Sequence, residues 1–277
     1  MAGEPGPVLP ELRWALYIIG LLVFLVGIPL ILFASRTDDY FAWTIHPPLT
    51  AAWLGGVYWA SCAGVWAAAR RTLWADARSI IPAAFTFTTL TTVATFIHLG
   101  KFHTGSPRAW SWIAVYVLTP PVLAILWFRQ QRVAGTDPPR LQPYAGWVRA
   151  LLVAQLMISL GVGLALYIAP HTSTDVWPWT LTPLTARAVG AGLLGLAVAS
   201  TWALKEADWE RVGGPAISFL AFGILQLIAL VHYHDTVSWS DWELWILIAL
   251  LVSFLAVGAE GLRVRRPAHA AAPVAAD

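Results

Sequence analysis

The feature that most constrains this chain is a series of long apolar runs that carry almost no charge. We identify eight such runs, at 14–34, 49–69, 80–99, 110–128, 150–169, 186–204, 214–233 and 242–259. Arg187 and Glu243 are the only Asp, Glu, Lys or Arg residues within them. Runs of about 20 residues match the hydrocarbon core of a bilayer, where backbone groups find no water and must pair within a helix. The sequence therefore predicts an all-α integral membrane protein with eight transmembrane helices.

The composition supports a membrane protein over a soluble one. The chain is 58% hydrophobic and 12% charged, whereas soluble domains carry about 25% charged residues. We therefore expect the lipid bilayer to contact much of its surface. No small-residue cleavage site follows the first run, which predicts a retained helix and not a removed signal peptide. The single cysteine, Cys62, excludes an intrachain disulfide and a multi-thiolate metal site.

The hydrophobic pattern occurs twice along the chain. Asp39 begins the segment DYFAWTIHPPLTA, and Asp175 begins DVWPWTLTPLTA. Two later runs start at a proline and end at a histidine, Pro82 to His98 and Pro215 to His232. A repeat this long indicates a duplicated folding unit. We predict two tandem four-helix repeats that enter the membrane in the same sense, because four is an even number of spans.

This duplication predicts five segments. They are a cytoplasmic N-terminal segment (1–13), the first repeat (14–128), a cytoplasmic linker (129–149), the second repeat (150–259) and a disordered cytoplasmic tail (260–277). With both termini in the cytoplasm, 13 of the 17 Lys and Arg residues lie on that side, as the positive-inside rule expects for a plasma-membrane protein. The formal net charge of +2 then reflects topology. Basic strings with exposed aromatics are absent, so we expect no nucleic-acid partner.

Histidines and acids concentrate on the predicted outer side. His98 and His232 end matching runs, and each has a second histidine nearby, His103 or His234, while Asp235 adds a carboxylate. Imidazole and carboxylate groups bind transition metals. One hypothesis is therefore a redox-type protein that holds a metal at these five residues, or a haem between His98 and His232. Alternatively, these histidines bond loop carbonyls, since their spacing matches no standard zinc signature.

A polar face on the third run suggests a second hypothesis. Three threonines spaced three and four residues apart share one helix face with His98; they are Thr88, Thr91 and Thr95. This face could line a path for a neutral or apolar solute between the repeats, with Asp39 and Asp175 at the outer mouths. The scarcity of charge within the runs argues against coupling to ions. The alternative is helix packing, because threonine hydroxyls often bond back to their own helix.

Two further hypotheses stay open at this point. The chain could be a scaffold or assembly subunit of a membrane complex, or could pair with copies of itself. It could also be an enzyme that uses an outer carboxylate as acid or base on lipid chains, although no known catalytic motif is present. Small residues are dense in the second and sixth runs, which predicts that these two helices lie at the centre.

Overall fold

The computed structural model describes residues 4–264, apart from the side chains of Ser173 and Thr174, and helices are the regular elements within that range. Eight long helices follow one another in this described part of the chain. They are α1 (Pro10–Leu32), α2 (Pro48–Ala69), α3 (Ile81–Ile97), α4 (Pro107–Gln130), α5 (Gly146–Ile168), α6 (Pro183–Glu206), α7 (Gly213–His232) and α8 (Trp242–Val264). Seven short helical segments lie in the connections, at Ala34–Arg36, Thr37–Tyr40, Trp74–Ala77, Arg78–Ile80, Leu99–Lys101, Pro170–Asp175 and His234–Thr236.

Within residues 4–264, seven helical segments are long and apolar enough to cross a membrane. They comprise every long helix except α2, and α3 is counted from Trp74. The chain is therefore an all-α, multi-pass membrane protein. Helix α2 is 22 residues long, but its glycines, serine and tryptophans keep its hydropathy below that of the other segments.

Helices α2 and α6 are the most enclosed elements of the fold. Most of their residues are buried, whereas only 28% of the most apolar window of α1 is buried. Small residues allow this, because helix backbones in a membrane approach closely where side chains are small. A Cβ added at Gly64 on α2 would lie 2.9 Å from the carbonyl oxygen of Gly214 on α7. The predicted central position of these two helices is confirmed.

Helix contacts join the two halves of the chain, α1–α4 and α5–α8. Helix α1 packs on α2, and α5 packs on α6. The inner contacts cross between the halves, with α2 on α7 and α3 on α6. Helix α3 also contacts α4, and α7 contacts α8, while the α1–α4 and α5–α8 contacts are sparser. The core therefore sits among four inner helices, α2, α3, α6 and α7.

The connections gather at two ends of the bundle. The linker end holds residues 4–9, 70–80, 131–145 and 207–212, which are tied by backbone bridges between Pro5 and Thr136, Pro7 and Leu73, and Pro143 and Asp208. The far end holds the other connections, 33–47, 98–106, 169–182 and 233–241. The predicted linker 129–149 includes the last residues of α4 and the first of α5.

The end of α8 corrects the predicted tail. The tail was expected to be disordered from residue 260, but α8 continues through Val264. Two contacts explain the extension. Arg263 pairs with Glu260 at 2.6 Å, and Gly261 lies close against the ring of Trp209. The rest of the predicted tail, 265–277, lies outside the described residues.

Candidate functional site

The four inner helices enclose a narrow cavity at the junction of the two halves. Its volume is about 40 Å³, which is room for about three water-sized molecules. Small and apolar residues line it, among them Ala60 on α2, Ala84 on α3 and Gly195 on α6. Ser61 and Ser218 supply the hydroxyls, and no lining residue is charged. The cavity therefore suits a small uncharged molecule.

The predicted threonine face does not line this cavity. Thr88, Thr91 and Thr95 are all buried. The Thr88 hydroxyl donates to the Ala84 carbonyl at 2.8 Å, and the Thr95 hydroxyl donates to the Thr91 carbonyl at the same distance. Thr95 also accepts a hydrogen bond from the Trp112 indole on α4 at 3.2 Å. This face therefore packs α3 against α4. The space that a solute path would need lies elsewhere, in the cavity between α2, α3, α6 and α7.

The two matched aspartates lie on the surface of the far end. Asp39 is exposed and pairs with Arg36 at 2.8 Å, and Asp175 is also exposed. The tryptophan that follows Asp175 by four residues, Trp179, is buried and donates to the Thr50 hydroxyl at 2.9 Å. In the second half, this motif therefore anchors the far-end connection to an inner helix.

His98 already has a partner for its ring nitrogen. It caps the end of α3, and its Nε2 lies 2.5 Å from an amino nitrogen of Arg187 on α6. Because arginine only donates, this nitrogen must accept. Burial lowers the pKa of His98, and the nearby charges of Arg187, Lys101 and His171 lower it further. His98 is therefore a neutral acceptor in a positive corner, where a bound metal cation would be repelled.

The other predicted ligands make separate local contacts. His103 Nε2 lies 3.3 Å from the Thr44 hydroxyl, and the His232 ring packs edge-on against Tyr233 at 4.6 Å. His234 pairs with Asp235 at 3.0 Å, and both are exposed. Within residues 4–264, no group of three or more His, Cys, Asp or Glu residues could hold a metal ion. The metal or haem hypothesis stays a prediction that no assembled ligand set supports in this range.

A buried cluster of ion pairs at the linker end was not predicted from the sequence. Arg78 binds Glu206 through two hydrogen bonds of 2.7 and 2.9 Å, and binds Asp137 through two more of 2.8 and 2.6 Å. Arg211 joins both acids, at 3.2 and 3.3 Å. The exposed fraction is 1% for Glu206 and 5% for Arg211. The Arg78 guanidinium holds the pKa of Asp137 below its usual value.

This cluster fixes the linker to the bundle. Arg140 Nε donates to the Glu206 carbonyl at 2.7 Å, and Arg211 donates to the Pro138 carbonyl. The Asp208 carboxylate accepts from the Gln142 backbone at 2.7 Å. Sequence reasoning treated these charges only as a topology signal. The pairing could not be read from the chain, because Arg78 and Glu206 are 128 positions apart.

Comparisons with protein-family models, curated proteins and solved structures find no match to this chain. The functional conclusion therefore depends on the geometry described above.

Proposed function

We propose that this protein is an eight-span plasma-membrane protein of two four-helix repeats, and that a small neutral or apolar solute crosses the membrane between them. One observation carries the proposal: the uncharged cavity lies where helices from both halves meet. The volume of about 40 Å³ limits the solute to a few heavy atoms. A lining without charge makes an ion costly at this depth.

The pattern of helix contacts supports two repeats. Each contact has a counterpart when four is added to the helix number: α1–α2 matches α5–α6, α2–α7 matches α6–α3, and α3–α4 matches α7–α8. Turn geometry agrees as well. Trp110 donates to the carbonyl six residues earlier at 2.9 Å, and Trp245 does the same at 3.1 Å. Helix α2, at 22 residues, is about 33 Å long and can span the bilayer.

The distribution of charge supports an orientation with both termini in the cytoplasm. Most described basic residues lie at or near the linker end: Arg13, Arg70, Arg71, Arg78, Arg129, Arg132, Arg140, Arg149, Lys205, Arg211 and Arg263. The basic residues at or near the far end are Arg36, Lys101, Arg108 and Arg187. Cytoplasmic loops carry the excess of Lys and Arg, so we place the linker end in the cytoplasm.

Solute flux into liposomes tests the proposal. We expect proteoliposomes to take up urea, which has four heavy atoms, faster than protein-free liposomes, measured by stopped-flow light scattering. Ala84→Leu and Ser61→Leu should each reduce that flux at least about fivefold, because the added side chain fills a cavity with room for only about three water-sized molecules. Ala249→Leu, on the exposed surface of α8, is the matched control and should leave the flux unchanged.

Two results would contradict this proposal, and two more would each favour an alternative. The first is a flux no faster than that of protein-free liposomes, and the second is an equal flux in the cavity variants when they are folded and inserted. A stoichiometric bound metal or a haem absorption band would favour the redox hypothesis. A stable co-purifying membrane partner together with no solute flux would favour the scaffold hypothesis.

A further inference from the structure

We propose a second site, beyond the solute path, that binds a small quaternary ammonium group at the far end of the second half. The site is an outward-facing pocket of about 570 Å³ between the α5–α6 and α7–α8 connections. It is lined by Trp177, Pro178, Trp179, Thr180, Thr236, Ser238, Ser240, Asp241, Trp242 and Glu243. This lining combines aromatic rings, hydroxyls and carboxylates.

Rigid indole rings form one side of the pocket. The exposed fractions of Trp177 and Trp179 are 3% and 5%, and their rings meet at 68° with centroids 4.9 Å apart. Both rings pack against Trp53 of α2, at 5.1 and 5.5 Å, which fixes their orientation. Trp242 is 63% exposed at the start of α8. Because Trp177 and Trp179 are almost fully buried, Trp242 is the indole of this lining that can offer its ring face, and indole faces attract cations such as quaternary ammonium groups.

The charge of the lining selects a cation. Asp241 and Glu243 are both acidic, and none of the described residues that line the pocket is basic. The Ser238 hydroxyl donates to the Asp241 carboxylate at 2.9 Å, which holds that acid in place. An anionic ligand would be repelled. A neutral sugar could form hydrogen bonds with the hydroxyls and the carboxylates, but it would lack the charge–charge attraction that a cation has to the two acids.

A small cleft adjoins the pocket. An apolar cleft between α5 and α8 shares Trp177, Pro178 and Glu243 with the pocket. Its volume is about 20 Å³, which is room for only one or two water-sized groups. One methyl group on the nitrogen could enter this cleft, while the rest of the ammonium group stays in the wider pocket.

The first half provides an internal contrast. Its equivalent cleft, between α1 and α4, is lined by Arg108 among other residues. Arg108 is the second residue of α4, as Glu243 is the second residue of α8. The corresponding position thus carries the opposite charge and would repel an ammonium ion. The two halves differ here, so we expect one ammonium site per chain.

Calorimetric titration of the purified full-length protein in detergent tests this site. The probes are choline, its neutral isostere 3,3-dimethylbutan-1-ol, and glucose. Choline should bind at least about tenfold more tightly than either neutral compound. Glu243→Gln and Trp242→Leu should each weaken choline binding about fivefold. Arg108→Gln is the control and should leave choline affinity unchanged. Raising the ionic strength should weaken choline binding only.

Several outcomes would overturn the assignment. Equal affinity for choline and its neutral isostere would show that charge plays no part, and tighter binding of glucose would make this a sugar site. An unchanged choline affinity in Glu243→Gln would place the ligand elsewhere, and so would the absence of choline binding. If Glu243→Gln unfolds, Asp241→Asn replaces it, with the same expected loss. Solute flux does not enter this test, so the transport proposal can fail independently.

Discussion

The ion cluster at the linker end makes a quantitative prediction about stability. Glu206 is 1% exposed and pairs with both Arg78 and Arg211. Glu206→Gln keeps the size of the side chain but removes its charge. Two guanidinium groups would then share one remaining acid, Asp137, whose side chain is 43% exposed. Arg211, at 5% exposure, would be left largely buried and poorly compensated.

The expected cost follows from burial. Breaking a buried ion pair by removing one partner costs about 3–5 kcal/mol. We expect about 3 kcal/mol here, because Asp137 still compensates part of the positive charge and is screened by water. In a protein of this size that loss lowers the unfolding temperature by about 5–10 °C. Glu210→Gln is the matched control. Glu210 lies 3.5 Å from Arg71 and its side chain is 39% exposed, so its loss should cost less than about 1 kcal/mol.

Two measurements together check this reasoning. Thermal unfolding in detergent, followed by tryptophan fluorescence, gives the loss of stability. Limited trypsin cleavage after Arg132 or Arg140, both exposed linker residues, reports release of the linker. Glu206→Gln should accelerate this cleavage at a temperature where the bundle is still folded, and Glu210→Gln should not. If the two variants unfold at the same temperature and are cleaved at equal rates, the cluster does not hold the linker.

Two further predictions concern the inner helices and the far end. Gly64→Val should destabilise the bundle by about 1–3 kcal/mol, because the new side chain would meet the Ser218 hydroxyl and the Gly214 carbonyl. Gly161→Ala on α5 is the control and should be tolerated, because there is open space around Gly161. Equal thermal stability of the two variants would contradict the close packing of α2 against α7. Burial and the charge of Arg187 lower the pKa of His98. The contribution of His98 to folding stability is therefore complete above about pH 6.5 and is lost as the pH falls towards its folded pKa. Arg187→Gln should raise that pKa in histidine NMR titrations, and an unchanged value would remove Arg187 as a cause.

The membrane helices could be predicted because each helix by itself must be long and apolar enough to cross the bilayer. The apolar run 110–128, for example, became Pro107–Gln130, with proline at the helix start, where it is favoured. The central place of α2 and α6 followed from local composition, since small residues permit close approach. These features depend on nearby residues alone, and the sequence contains all of that information.

The surroundings of the candidate site residues were harder to predict, because these residues contact side chains that are distant in the sequence. The threonine face was correctly placed on one side of α3, but whether a hydroxyl faces a path or its own helix depends on the neighbouring helix. Trp112 of α4 covers Thr95. His98 and His232 end matching runs, yet His98 meets Arg187 while His232 meets Tyr233. Their surroundings differ because the residues that approach them come from other parts of the chain.

The two halves of the chain interlock, and this packing is the reason to propose a solute path in the cavity between them. Helices α2 and α3 bury their inner surfaces against α7 and α6 of the other half, so neither half can complete its core alone. The cluster around Glu206 then joins the linker to this interface at one end only. Small shifts between the inner helices would change the cavity, while the ion cluster keeps the linker end together. A path that opens between the halves should therefore widen first towards the far end, away from the cluster, once the hydrogen bond between His98 and Arg187 that joins α3 to α6 there has broken.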